Sequence, residues 1–364
     1  MYSRLSVFGC VAGGALALAS PVIKHICAEI QIPVSVSVPR FIINTTVNDN
    51  WDAVDLTFNL TRQDPPTLIA GSTPVPVNST YNIGATLCGN GGPTLVLTHG
   101  IVESKGYWRP NLDNASQYSL VDAAIAAGYS VLSYDRIGVG SSSKVDPYAD
   151  AQFQVEIAVL NSLVNYARTT GNASKVALVG HSYGSYISAA SASEAGVDVD
   201  AVILTGFSGG FDYFAPFLAG AGFRVARTRD PKRWGALGSA YLTVSDLYAA
   251  TYGYFAGAFE HRVAEWSYAV DGEPFAVGEL LSLLAVPVYY GNITAPVFLL
   301  QGRYDLSACG GNCVGALDEV TAKFTSARGV KIVDDLPAGH NLNLHTIAPK
   351  AFGLIFEFLQ EYGI

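Results

Sequence analysis

Charged residues are scarce in this sequence, and basic residues are fewer than acidic ones. Only 14% of the 364 residues are Asp, Glu, Lys or Arg, and the formal net charge is -9. No stretch concentrates Lys and Arg, which argues against nucleic acid as a partner because phosphate binding needs such clusters. Half of the residues are hydrophobic. This balance excludes a largely disordered chain and predicts a substantial buried core.

Long apolar runs are also missing, except near the N-terminus. Residues 5–20 form a run of 16 apolar or small residues, and Arg4 precedes it. A membrane-spanning helix needs about 20 apolar residues, so the run predicts a cleaved signal peptide over residues 1–28, with a membrane anchor as the alternative. Cleavage is expected after Ala19 or after Ala28. The sequence therefore predicts a secreted, extracellular protein with no stable membrane insertion after processing.

Potential glycosylation sites agree with export. Six Asn-x-Ser/Thr triplets without proline occur in the chain, and such triplets receive sugar only in the secretory pathway. The predicted acceptors are Asn44, Asn59, Asn78, Asn114, Asn172 and Asn292.

Cysteine is rare, with five residues in the chain. Cys309 and Cys313 lie four residues apart in a Gly-rich stretch, which predicts a small disulfide in an oxidising compartment. Two free thiols are the alternative. A zinc site is disfavoured, because no second Cys or His pair with ligand spacing lies nearby. Cys88 has no obvious partner unless Cys27 survives processing.

The hydrophobic pattern changes near residue 95. Residues 29–95 contain period-two runs, which predict antiparallel strands joined by loops. From Thr94 to Thr205, short apolar strands alternate with helices. This alternation predicts an α/β fold, with a mostly parallel central sheet and helices on both faces.

The alternation stops over residues 207–290 and resumes at Pro296. The interrupting segment is rich in Phe, Tyr, Gly and Ala. We interpret it as an inserted helical lid that lines an apolar pocket, and a stretch of core helices is the alternative. Residues 29–364 are then one domain that carries this insertion.

The motif Gly180-His181-Ser182-Tyr183-Gly184 follows a predicted strand and opens a predicted helix. It fits the Gly-x-Ser-x-Gly nucleophile elbow, a sharp turn that exposes a serine hydroxyl at the top of a sheet. The glycines are needed because larger side chains would collide with the neighbouring strand and helix. The motif predicts Ser182 as an activated nucleophile.

A serine hydroxyl needs a base to take its proton, and the base needs an acid to orient it. The expected order along the chain is Ser, acid, His. Asp305 directly follows the strand that begins at Pro296, so we predict it as the acid. His340 lies in a loop after the last strand and is the predicted base, with His345 as the reserve choice.

The oxyanion formed on acyl transfer must be met by N–H donors. We predict the backbone N–H of Tyr183, next to the nucleophile, and that of Ile101, in the loop that begins His99-Gly100. His99 itself is expected to shape this loop. The turn from Asp135 to Ser141 lacks the third glycine and the lysine of a phosphate loop, so it is predicted to be a structural turn bordering the site.

These motifs together resemble the α/β-hydrolase superfamily over about residues 95–360. The resemblance implies a Ser182-Asp305-His340 triad, a two-step acyl transfer and no metal or organic cofactor. Within the superfamily the chain looks similar to secreted fungal esterases and lactonases. The implied activity is hydrolysis of a carboxylic ester or lactone, and we expect a small-molecule substrate that is apolar and of medium size. The alternatives are an acyltransferase that uses the same triad and a catalytically silent binding protein of the same fold.

Overall fold

The computed structural model describes residues 27–364, so residues 1–26 of the predicted signal peptide lie outside the described residues. The strands are β1 (Cys27–Val38), β2 (Phe41–Ile43), β3 (Ile69–Ser72), β4 (Val77–Cys88), β5 (Gly92–Thr98), β6 (Ser130–Tyr134), β7 (Ala173–His181), β8 (Ala201–Thr205), β9 (Arg224–Val225), β10 (Tyr241–Thr243), β11 (Phe275–Ala276), β12 (Val297–Gly302) and β13 (Val330–Leu336). The helices are α1 (Asn50–Thr61), α2 (Leu120–Ala126), α3 (Phe153–Thr169), α4 (Tyr183–Ser193), α5 (Phe214–Ala221), α6 (Ala226–Arg229), α7 (Pro231–Trp234), α8 (Leu247–Tyr254), α9 (His261–Trp266), α10 (Val277–Leu283), α11 (Leu306–Cys309), α12 (Asp318–Thr321) and α13 (Ala348–Glu361).

The central sheet has eight strands in the order β1-β4-β6-β5-β7-β8-β12-β13. Pairing is parallel from β6 to β13. The pairs β1/β4 and β4/β6 are antiparallel. The predicted α/β fold with a mostly parallel sheet is confirmed, and so is the antiparallel pairing of the strands that precede residue 95.

The inner parallel strands are buried on both faces because most of their side chains are apolar, whereas the edge strand β13 is largely half-buried. All residues of β8 are buried, as are those of β7 from Val176 onward. A strand of this kind needs helices on both sides of the sheet. The long amphipathic helices α3 and α13 provide part of this cover, and each buries one apolar face.

The expectation of strands and loops alone over residues 29–95 is wrong at α1. Asp49 caps this helix, because its carboxylate accepts hydrogen bonds from the N–H groups of Trp51 and Asp52 at 2.8 and 3.1 Å. Ala53 and Leu56, three residues apart, turn the buried face of α1 toward the rest of the chain. The helix packs against α5.

The segment between β8 and β12 contains six helices, α5 to α10, within the described residues. It also contains a small sheet in the order β11-β10-β9, which the prediction of a purely helical insertion did not include. Phe214 and Phe217 of α5, together with Leu280 and Leu283 of α10, line a cavity beside Ser182. The function of residues 207–290 as a lid stays a prediction.

Two cysteine pairs lie at disulfide distance. Cys309 and Cys313 form the pair that the sequence predicts, with Cα atoms 4.9 Å apart. The partner of Cys88 is Cys27, and this pair joins the start of β1 to the end of β4 with Cα atoms 4.1 Å apart. No helix within residues 27–364 has the length and apolar character of a membrane span.

Candidate active site

Ser182 lies at the sharp turn between the end of β7 and the start of α4. Its backbone has φ 53° and ψ -123°, a combination that costs a non-glycine residue on the order of 1–3 kcal/mol. The surrounding chain holds this geometry, since Ser182 N–H donates to the Thr205 carbonyl at 2.9 Å. A Cβ on Gly180 would come within 2.5 Å of the Gly184 carbonyl oxygen, which explains the glycine there. This is the local conformation that the elbow motif predicts.

Asp305 and His340 meet at the carboxyl ends of neighbouring parallel strands. Asp305 follows β12 and caps α11, while His340 follows β13. The Nδ1 atom of His340 lies 2.7 Å from Oδ2 of Asp305. The other ring nitrogen, Nε2, is buried and has no hydrogen-bond partner among the described residues. The ring is thus held by the acid and keeps one nitrogen available.

The Asp305 carboxylate is fully buried and accepts four hydrogen bonds. Oδ2 accepts from Gln301 Nε2 at 2.5 Å as well as from His340, and Oδ1 accepts from the Ala308 N–H at 2.9 Å and Ser307 Oγ at 3.3 Å. Burial raises the pKa of Asp305, but the His340 ring and these hydrogen bonds outweigh it and hold the pKa below its ordinary value. The carboxylate therefore stays ionised. The segment with the Cys309–Cys313 pair follows Asp305 in the chain and leaves this carboxylate in contact with His340.

The pKa of His340 is raised above its ordinary value. Burial alone would lower it, but the charge and hydrogen bond of Asp305 act in the opposite direction and prevail. The Glu103 carboxylate adds a smaller contribution of the same sign. An imidazole with these neighbours can accept a proton and hold the resulting charge.

Ser182 and the loop after β5 border one cavity. Ile101 and Tyr183, the two predicted oxyanion residues, both line it together with Ser182. The Tyr183 N–H belongs to the first turn of α4, where backbone N–H groups have no intrahelical acceptor. Gly100 lies against the nucleophile, since a Cβ there would come within 2.9 Å of the Ser182 Cβ.

His340 lies against two residues that line the same cavity, Gly206 and Ser307. This glycine lines the cavity with Ser182, and a Cβ on it would come within 2.8 Å of the His340 Cε1 atom. Ser307, which also lines the cavity, places its Oγ 3.0 Å from His340 Nδ1. Asp305 and His340 are therefore in hydrogen-bond contact beside the cavity that Ser182 lines, whereas His340 Nε2 and the Ser182 hydroxyl make no hydrogen bond with each other.

His99 shapes the loop after β5, as predicted. Its ring is buried, with Nδ1 2.8 Å from the Gly100 carbonyl oxygen and Nε2 accepting the Arg136 N–H at 3.1 Å. The Arg136 guanidinium is also fully buried and donates to the Gly100 carbonyl at 3.2 Å. It pairs with Glu156 at 3.2 Å and Glu279 at 2.8 Å. The loop after β5 therefore rests on a buried charge cluster.

The Asp135 side chain fills the turn after β6 and binds backbone N–H groups there. Asp135 accepts from the Ser141 N–H at 2.8 Å and from the Lys105 N–H at 2.9 Å. Backbone N–H groups that already bind a carboxylate are not free to bind a phosphate. The structure thus agrees with the prediction of a structural turn.

His345, the reserve choice for the base, has a different environment. Its Nε2 accepts the N–H groups of Gly339 at 3.1 Å and Ala256 at 3.2 Å, and its Nδ1 lies 2.8 Å from the Asn341 carbonyl. Burial lowers the pKa of His345 to about 4. This neutral ring fastens the loop that carries His340.

Sequence reasoning gave no role to Glu103 and His181, which lie beside the predicted triad. Glu103 is buried, and its Oε2 accepts the Gly100 N–H at 2.8 Å. The His181 ring is also fully buried and stacks on Tyr107, with ring centroids 4.5 Å apart. An acidic residue three positions after Gly100, directly after Ile101 and Val102, was the signal that could have singled out Glu103.

The cavity around Ser182 is mainly apolar. Its walls include Tyr186, Phe211, Phe214, Phe217, Leu280 and Leu283. Within residues 27–364 no group of three or more His, Cys, Asp or Glu side chains is arranged to hold a metal ion.

The family model described as "Alpha/beta hydrolase family" matches residues 95–352. The chain belongs to the alpha/beta hydrolase family. The matched range contains every residue of the predicted triad and both predicted oxyanion residues. This alpha/beta hydrolase is also similar in fold to a solved lipase in its open form, with a TM-score of 0.55 and 16% identity over 78% of this chain and 95% of that one. A thermophilic esterase from Thermogutta terrifontis gives a TM-score of 0.54 and 16% identity over the same shares.

Among curated proteins, this alpha/beta hydrolase is similar to a 1-acylglycerol-3-phosphate O-acyltransferase of Arabidopsis thaliana. The two are 32% identical over 119 residues, which is 33% of this chain and 26% of the relative. The chain thus spans about a quarter of the length of the curated relative that it matches.

Proposed function

We propose that this alpha/beta hydrolase is a serine hydrolase that cleaves a carboxylic ester or lactone through an acyl-enzyme intermediate. One observation carries the proposal: His340 Nδ1 lies 2.7 Å from the buried Asp305 carboxylate and Nε2 has no partner, while the ring packs against Gly206, which lines the cavity together with Ser182. Ser182, His340 and Asp305 are the proposed nucleophile, base and acid.

In the first step the Ser182 Oγ attacks the carbonyl carbon of the substrate, and His340 Nε2 takes the hydroxyl proton. The oxygen of the tetrahedral intermediate carries the negative charge, which the N–H groups of Ile101 and Tyr183 stabilise. The carbon–oxygen bond to the alcohol then breaks, and His340 gives its proton to the departing alkoxide. In a lactone the alcohol stays attached to the acyl group through its chain.

In the second step a water molecule takes the place of the alcohol. His340 removes a proton from it, the hydroxyl attacks the acyl-enzyme carbonyl, and the bond to Ser182 breaks as the serine recovers its proton. Asp305 keeps the ring orientation and stabilises the imidazolium formed in each step.

The substrate is proposed to be a small-molecule apolar ester or lactone. Aromatic and aliphatic side chains dominate the cavity wall, and the polar groups in it are those next to the reacting atoms. A site of this composition binds an apolar body and fixes one polar group.

Acyl transfer to an alcohol other than water is the second candidate. The similarity to the Arabidopsis acyltransferase favours it, although that relative is matched over only 26% of its length. The first half-reaction is the same, so only the acceptor of the acyl group differs. Product analysis with an added alcohol distinguishes the two reactions.

Hydrolysis of p-nitrophenyl acetate and butyrate by the purified protein tests the main proposal. We expect turnover by the wild type and none above background by Ser182→Ala. Ser188→Ala is the matched control, because Ser188 lies on the same helix and its buried hydroxyl has no hydrogen-bond partner among the described residues. Equal turnover by wild type and Ser182→Ala would reject Ser182 as the nucleophile, and binding of the esters without turnover by the wild type would favour a silent binding protein.

Secretion is a further part of the proposal. Five of the six predicted sugar acceptors are exposed, and Asn59 on α1 is half-buried. The pairing of Cys27 with Cys88 supports cleavage after Ala19, since cleavage after Ala28 would remove Cys27. N-terminal sequencing of the protein from a eukaryotic culture medium, together with the mass lost on deglycosylation, tests both points. Retention of the intact N-terminus inside the cell would contradict them.

A further inference from the structure

The cavity that contains Ser182 is too small for most substrates. Its volume is about 40 Å³, whereas small-molecule sites usually enclose about 300–1,000 Å³. Tyr186, Phe214 and Phe217 help to close it. It can hold the reacting carbonyl and a short group beside it, but not a longer chain.

A larger groove lies directly behind one wall of this cavity. Its volume is about 510 Å³, which is within the usual range for a ligand site. Residues 284–288 and Tyr290 form its outer side. None of the side chains that line it is charged.

The wall between the two spaces is one layer of side chains. Tyr186, Phe211 and Leu283 each line both the cavity and the groove. Leu283 is the last residue of α10, and Tyr186 is fixed on α4 by the hydrogen bond from its hydroxyl to the Gly210 carbonyl at 2.7 Å.

Phe211 is the member of this wall that stands on non-helical chain. It stacks on Tyr186, with ring centroids 5.1 Å apart, and follows Gly209 and Gly210. Gly209 has φ +65°, a conformation that favours glycine. A rotation of the Phe211 side chain would join the groove to the cavity without moving a helix.

We propose that the groove binds a linear hydrocarbon arm of the substrate, which runs from the ester bond at Ser182 past Phe211. This inference rests on the proposed function and specifies its substrate class as esters with a medium or long alkyl chain. Each methylene that leaves water for such a groove increases kcat/KM by up to about fourfold. The selectivity would then come from the outer groove and not from the inner cavity.

The test measures kcat/KM for two substrate series, each used below its aggregation concentration. One series is the p-nitrophenyl acetate, butyrate, octanoate and laurate esters, and the other is the acetates of linear alcohols of increasing length. The wild type is compared with Val286→Trp, which fills the groove. Val75→Trp is the matched control, because Val75 is 65% exposed and does not line the groove. Thermal melts check that each variant is folded.

We expect kcat/KM of the wild type to rise with chain length in one of the two series. Val286→Trp should lower kcat/KM for the longest substrate on the order of tenfold or more, which is the loss of a few buried methylenes. Val286→Trp should leave kcat/KM for p-nitrophenyl acetate unchanged. The control Val75→Trp should leave kcat/KM unchanged for every substrate. Phe211→Ala should increase the ratio of kcat/KM for the longer substrates to kcat/KM for the shorter ones, relative to the wild type.

A kcat/KM that falls with increasing chain length in both series would overturn the inference. So would a folded Val286→Trp variant with the chain-length profile of the wild type, because the groove would then serve another occupant, such as a second protein surface. Failure of the proposed function gives a different result, since the wild type would then hydrolyse neither acetate nor butyrate.

Discussion

Glu103 Oε1 lies 3.4 Å from His181 Nε2, and both side chains are buried beside the predicted triad. The Asn341 Oδ1 atom is 3.3 Å from the same nitrogen. Nε2 therefore faces two oxygen atoms, of which the Asn341 Oδ1 atom is in hydrogen-bond contact and Glu103 Oε1 has no hydrogen-bond partner among the described residues. The His181 ring in turn lies 4.8 Å from the His340 ring, measured between centroids. Glu103 thus contacts the loop after β5, through the Gly100 N–H, and lies beside the His181 ring that packs near His340.

Replacing Glu103 with Gln should change the reaction more than the fold. Glutamine can still accept the Gly100 N–H, so we expect a folded enzyme with kcat lowered about tenfold and KM little changed. The negative charge that helps raise the pKa of His340 is lost, although burial and Asp305 act more strongly on that pKa. The acidic limb of the kcat/KM profile should therefore move to lower pH.

The control for Glu103→Gln is Asp318→Asn, which neutralises an exposed carboxylate on α12. Its pH profile should match that of the wild type. A Glu103→Gln profile that coincides with the wild type would show that Glu103 acts on the fold alone.

The pH dependence of the wild type follows from the raised pKa of His340. The base must be neutral to take the proton of Ser182, so kcat/KM should rise with pH along a limb centred above the ordinary imidazole value of about 6.5. The same shift stabilises the fold below about 6.5, and this contribution is lost as the pH rises through the raised pKa. Steady-state kinetics with p-nitrophenyl butyrate across neutral pH measures the position of this limb. A limb centred below the ordinary value would contradict the Asp305–His340 pair.

Replacing Asp305 with Asn should lower kcat by about 10³–10⁴-fold. The amide can no longer hold the Nδ1 proton of His340 in the orientation that the base requires. It also removes the charge that raises the pKa of His340, so the residual activity should have its acidic limb at lower pH. Single-turnover kinetics can measure activity this low. Near-normal kcat would mean that another carboxylate is the acid.

The Cys27–Cys88 pair should stabilise the fold more than the Cys309–Cys313 pair. The two cysteines of the first pair are 61 residues apart and those of the second are four apart. A chain-entropy estimate gives about 4 kcal/mol for the first crosslink and about 2 kcal/mol for the second. Urea unfolding of Cys27→Ser and Cys313→Ser checks the order. Equal losses of unfolding free energy would contradict it.

Much of the sheet could be predicted because its inner strands are mostly apolar and are separated by helices. The positions of Ser182 and Asp305 followed from this pattern, since each comes directly after a strand and parallel strands end at one edge of the sheet. The sequence therefore predicted which strand ends supply the site, and the structure brings Asp305 to His340.

Other features had no comparable periodic signal. The helix α1 is rich in Asn, Thr and Asp and buries only Ala53 and Leu56, so its apolar face is narrow. The strands β9 and β11 have two residues each, too few to show alternation. Glu103 and His181 are far apart in the chain, and only the tertiary fold shows that they meet.

Labelling with a fluorescent fluorophosphonate tests the central claim most directly, because the probe reacts only with an activated serine. The wild type, Ser182→Ala and Ser188→Ala should be treated in parallel, and the modified peptide should be identified by mass spectrometry. We predict rapid labelling of the wild type and Ser188→Ala at Ser182, and no labelling of Ser182→Ala. Folded wild-type protein that does not label, or that labels at another serine, would contradict the account.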